Sequence, residues 1–194
     1  MHIFDYQMST TTVVFGTTYS FDSNQAYINL LSTAIDLEMF VMVLSYLCGL
    51  VMIIRGIAMY KAFGANLNQA TRPGEVAGPF VYIVIGLFLL YFPNIFEISL
   101  YTIYGTTNLG EASYTGTDTT VDWTQIYNLI TRYCRLIGVI SFFRGLVLMS
   151  KSGEPGTQPG TITKGMIHLV AGIMIYNVWG TVAAFQYTFG ISKA

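Results

Sequence analysis

The stretch Gly49-Leu-Val-Met-Ile-Ile-Arg55-Gly56 returns later in the chain as Gly138-Val-Ile-Ser-Phe-Phe-Arg144-Gly145. The shift between them is 89 residues. Each copy is followed by a polar loop holding Pro-Gly, at Pro73-Gly74 and Pro159-Gly160, and then by an apolar run that reaches Gly86 and Gly172. These later pairs, with Val84 and Val170, match at a shift of 86, so a three-residue difference in the loop aligns both halves. Shared spacing of Gly, Arg and Pro is harder to reach by chance than shared hydrophobicity. The chain reads as an apolar helical hairpin duplicated in tandem.

Composition points to a membrane. Of 194 residues, 53% are hydrophobic and only 10% are charged, against roughly 25% charged in ordinary soluble domains. The mean hydropathy is +0.55. A net charge of −1 gives no basic face for nucleic acid.

Working outward from the first copy, residues 39–60 form a first span with no charge before Arg55; crossing takes about 20 residues. Upstream, residues 1–38 carry Asp5, Asp22, Asp36 and Glu38 but no Lys or Arg. They offer neither the basic nor the apolar region of a cleavable signal. Ser9 to Ser20 is Thr-rich and reads as irregular. Asp22-Ser-Asn-Gln25 has capping-box spacing, and Tyr27, Leu30, Leu31, Ala34 and Ile35 share one helical face. That lead-in helix lies in the membrane interface or packs on its neighbours on the periplasmic side. Downstream, the second span runs from about Pro79 to Tyr104, with Pro93-Asn94 expected to kink its far half.

The second half repeats the plan. A polar loop (106–125) leads to a third span ending near Met149, which contains Arg132, Arg135 and Arg144. The fourth span, about Met166 to Phe189, holds no charged residue. The expected organisation is therefore an N-terminal segment (1–38), a first transmembrane hairpin (39–105), an outer loop (106–125), a second hairpin (126–190) and a tail (191–194). The fold class is all-α, with four transmembrane helices as two tandem hairpins in parallel repeat.

Orientation follows from the distribution of Lys and Arg in short loops. The two hairpin loops hold Lys61, Arg72, Lys151 and Lys164, whereas the N-terminal region and middle loop hold none. Both hairpin loops are expected in the cytoplasm, with both termini on the other side. Arg55 and Arg144 lie about one turn from the cytoplasmic ends, close enough to snorkel to head groups, to pair between helices or to meet a partner. Gly49 and Gly56, like Gly138 and Gly145, are seven residues apart and share a face. With Gly86 and Gly172 they are candidates for close helix packing. Glu97 lies about 19 residues into its span, roughly 28 Å along a straight helix. That puts it at the depth of Arg132 and Arg135, where an ion pair is the natural way to hold such charges.

Catalysis finds no support. His2 and His168 are the two histidines, and no metalloprotease, nucleophile-elbow or phosphate-loop motif occurs. Cys48 and Cys134 do not coincide in the repeat and form no Cys-x-x-Cys pair. They read as small packing residues. No metal and no cofactor is expected.

The four-span length, the tandem hairpin and the pattern Arg55-Gly56, Pro73-Gly74, Gly86 and Arg144-Gly145, Pro159-Gly160, Gly172 resemble the IcmC/DotE family, whose relatives are DotV and the shorter IcmD/DotP. The likeness covers roughly Met39 to Gly190. Those proteins are inner-membrane parts of the Dot/Icm type IVB secretion system and related conjugation systems. The resemblance implies a non-enzymatic scaffold or channel-lining subunit in the bacterial inner membrane, multi-copy among other secretion-system subunits and lipid. The cytoplasmic loops are too short for a nucleotide-hydrolysing domain, so partner ATPases would supply energy. The competing expectation is an independent oligomeric transporter or ion channel, which needs broken helices and polar groups facing a cavity between the repeats.

Overall fold

The computed structural model describes residues 10–14, 17–21, 23–65, 77–106, 123–152, 154 and 157–190. Two strands, β1 (Thr10–Val14) and β2 (Thr17–Phe21), pair antiparallel. This corrects the irregular reading of the Thr-rich stretch; β-branched residues favour such a ribbon. Six helices follow. They are α1 (Ser23–Ala65), α2 (Ala77–Leu90), α3 (Phe92–Tyr104), α4 (Trp123–Lys151), α5 (Thr161–Tyr176) and α6 (Val178–Thr188).

The helix does not break at residue 38, where the N-terminal segment was expected to give way to the first span. α1 is one helix of 43 residues, about 65 Å at 1.5 Å per residue. No Gly or Pro occurs between Ser23 and Cys48, so nothing local stops the lead-in helix from running into the first span. Hydroxyls within it turn back on their own backbone. Thr33 Oγ1 donates to Asn29 O at 2.7 Å and Ser45 Oγ to Met42 O at 2.6 Å, which satisfies them within the helix.

The second and fourth spans are not continuous. The chain turns by 86° between α2 and α3 and by 94° between α5 and α6. The first turn falls at Tyr91, two residues before the proline flagged as the kink. Pro93 occupies the first turn of α3, where its missing N–H costs nothing; in an unbroken helix its ring would meet the carbonyl four residues back. The second turn involves no proline. Asn177 leaves the helical conformation at φ −105°, ψ 63°, and its Oδ1 accepts from Gly180 N at 3.0 Å, an N-cap for the new helix. Tyr91 and Asn177 stand 86 residues apart, the shift that relates Gly86 to Gly172.

α1 and α4 are long and apolar enough to cross a membrane, and the count rises to four if each bent pair is one span. α2 and α5, with 14 and 16 residues, reach only about 21 and 24 Å, short of a hydrocarbon core of about 30 Å.

α1 packs chiefly on α2, and α4 on α5; the two pairs meet through α4, which touches both α1 and α2. The order of contacts makes each pair antiparallel, and α1 and α4 run parallel. Tyr133 on α4 approaches Leu30 on α1, and Glu154 just beyond α4 meets Arg55. The core is aromatic. Phe92 and Phe96 of α3 meet Phe142 of α4 with ring centroids 5.7 and 5.0 Å apart, and Phe96 meets Tyr176 at 4.6 Å, all edge to face. Outward faces are apolar: Met39, Phe40, Leu47, Val51 and Ile54 of α1 are all exposed. A soluble monomer does not present such a surface.

Candidate functional site

The six glycines singled out from the sequence stand where the paired helices touch. A Cβ added at Gly49 would lie 2.7 Å from Gly86 O and 2.9 Å from Leu90 N; at Gly138 it would lie 2.6 Å from Gly172 O and 2.7 Å from Tyr176 N. Gly86 faces Gly49 O and Ile53, and Gly172 faces Gly138 O and Phe142. Nearer the loops, Gly56 faces Pro79 O and Ile83, and Gly145 faces Gly165 O and Leu169. Each contact in α1–α2 has its counterpart in α4–α5 at shifts of 89 and 86. Missing side chains let the backbones approach, so dispersion holds helices that lipid would otherwise solvate equally well.

The charged candidates divide. Arg55 forms the one ion pair among the described residues, with Glu154 at 3.1 Å, and its guanidinium lies 5.3 Å from the centroid of the Tyr82 ring. The Tyr82 hydroxyl donates to the same Glu154 oxygen. Arg55 and Tyr82 belong to the first helix pair and Glu154 to the second, so this contact ties the two together at the loop end. Both charges are partly open, which limits such a pair to about 0–1 kcal/mol. A groove of about 290 Å³ runs beside it, with Cys48, Met52 and Lys151 in its wall. Arg144 is exposed and forms no ion pair with a described residue.

Glu97 does not pair with Arg132 or Arg135. The 86° turn at Tyr91 carries α3 sideways, so the depth reckoned along a straight helix does not apply. Glu97 instead lines a cavity of about 140 Å³ with Met42, Phe92, Phe96, Val139 and Tyr176. Glu38, Glu97, Arg132 and Arg135 all lie within electrostatic reach of Tyr176. Arg135 Nε is buried without a hydrogen-bond partner.

Sequence reasoning passed over Glu154, Tyr82, Gly165 and Asn177. Tyr82 corresponds to His168, and Pro79 to Gly165, at the shift of 86, so both could have been found by extending the alignment. Glu154 falls on Asn68 at the shift of 86, not on an acid, and carried no signal. α6 is fixed by two polar contacts: Trp179 Nε1 donates to Thr131 Oγ1 at 2.9 Å, and the Tyr104 and Thr181 hydroxyls meet at 2.5 Å. Cys48 and Cys134 are free thiols. Among the described residues no three His, Cys, Asp or Glu are grouped to hold a metal.

Fold and surface together define a helical membrane protein with two to four candidate spans. Comparison of the chain with known protein families, with curated proteins and with solved structures finds no match.

Proposed function

We propose that this chain is a non-enzymatic inner-membrane subunit, a scaffold or channel-lining part of a type IVB secretion apparatus that exports effector proteins into host cells. The secretion assignment rests on the resemblance of the Arg-Gly, Pro-Gly and glycine pattern to the IcmC/DotE group. The observation that carries the subunit reading is α6. This helix has no charged residue and no buried residue, and Phe185, Tyr187 and Phe189 at its end are exposed. A helix without a charged face is stable inside a bilayer or a protein assembly. It lacks the charged face that would let it lie along a membrane surface.

In the same reading the two glycine-packed pairs are a tandem duplication, supported by the matched contacts and matched turns at Tyr91 and Asn177. Both hairpin loops are cytoplasmic and both termini periplasmic, supported by the Lys and Arg distribution. Other secretion-system membrane proteins and lipid cover the apolar faces, in several copies of the chain.

A second reading, an independent oligomeric transporter or ion channel, draws on those same turns. Discontinuous helices beside a cavity that holds Glu97 and Tyr176 are the arrangement transporters use. In-membrane crosslinking in the native host, followed by mass spectrometry of the partners, separates the two. Recovery of secretion-system subunits in fixed ratio is the expected result. Recovery of the chain with itself alone overturns it and makes ion flux across liposomes the deciding assay.

A further inference from the structure

At the loop end of the first helix pair, charge is closed internally. Arg55 lies over the Tyr82 ring and both hold Glu154. The same place in the second pair keeps the arginine and lacks the ion pair. Shifts of 89 and 86 carry Arg55 to Arg144 and Tyr82 to His168. Ser141 Oγ donates to His168 O at 3.1 Å, and Gly145 crosses Gly165 as Gly56 crosses Pro79, so the helices meet in the same register. Lys164 stands one turn before His168 on the same face of α5. Arg144 and Lys164 are exposed and His168 is half-buried.

Among the described residues no acid completes this set. Residues 123–190 contain Arg132, Arg135, Arg144, Lys151 and Lys164 against the single acid Glu154, and Glu154 is held by the other helix pair. The second pair therefore presents a cationic corner where helix ends meet the membrane surface. Ile140 and Ile137, both exposed, follow one and two turns deeper on the α4 face that carries Arg144. Cations over an apolar strip match an anionic head group above its acyl chains.

We propose that the second helix pair holds an anionic phospholipid, its phosphate between Arg144 and Lys164 beside His168. The site rests on the membrane reading and the correspondence of the two pairs, and is independent of the secretion assignment and of which way the chain faces.

The test is native mass spectrometry of the full chain in mild detergent, titrated with phosphatidylglycerol, with phosphatidylcholine, or with inorganic phosphate. One phosphatidylglycerol should be retained at least tenfold more tightly than phosphatidylcholine. The double variant Arg144→Gln/Lys164→Gln should lose that preference, while Arg144→Lys keeps it and reports that the fold survives. Equal retention of the two lipids, an unchanged preference in the double variant, or full displacement by inorganic phosphate would each overturn the proposal.

Discussion

Gly138→Ala should weaken the α4–α5 contact more than alanine at any other helical glycine of the two pairs. The added methyl would sit 2.6 Å from Gly172 O, 2.7 Å from Tyr176 N and 2.8 Å from Tyr176 Cβ. Two of these are backbone atoms on the facing helix, so no rotamer change relieves the overlap and the helices must part. Alanine is worth up to about 1 kcal/mol over glycine inside a helix, which works against the effect. Overpacking of about 1–3 kcal/mol at a backbone-on-backbone contact outweighs it. Gly145→Ala should be milder, because two of its three nearest neighbours belong to the Leu169 side chain. Unfolding in mixed micelles, followed by helical ellipticity as denaturing detergent is added, measures both. A Gly138→Ala protein as stable as the parent would show that the helices are further apart than described.

Phe142→Ala should cost about 3 kcal/mol, the low end of the range for large aromatic truncations. Phe142 is almost fully buried and joins three elements: it meets Phe92 and Phe96 of α3, and its backbone faces Gly172 of α5. The low end applies because part of that range is transfer from water, and lipid is as apolar as the core. What is lost is packing and the edge-to-face geometry of the rings. Exposed Ile137→Ala, five residues earlier on α4, should stay within about 0.5 kcal/mol. The same micelle titration compares the two; equal losses would mean that α3 does not rest on α4.

How far the sequence could be read depended on whether the cause was local. Gly49, Gly56, Gly138 and Gly145 were legible because close approach demands a missing side chain at fixed spacing, and two copies of the pattern reinforce each other. The turns were only half legible. Pro93 announces a break, but the break falls at Tyr91, where the chain must leave the helix before the proline ring meets the preceding turn. Asn177 announces nothing, since an Asn in an apolar run becomes a cap only once a helix ends there. Reading α3 as a straight continuation then misplaced Glu97 and suggested a partner it does not have. Asp36 and Glu38 suggested a boundary that the backbone ignores, because both side chains remain accessible on an unbroken helix. The Arg55–Glu154 contact joins residues 99 apart, and no local pattern encodes it.

The central claim is that two parallel-running hairpins place both of their loops on one side of the membrane. Cysteine accessibility in spheroplasts tests it directly, in a background with Cys48→Ala and Cys134→Ala. Ser152→Cys in the second hairpin loop and Thr106→Cys beyond α3 are probed with a membrane-impermeant maleimide. The account predicts labelling of the residue 106 variant in intact spheroplasts, and of the residue 152 variant only after the membrane is opened. Labelling of both positions from outside would contradict it, since α4 would then fail to carry the second hairpin loop across the bilayer.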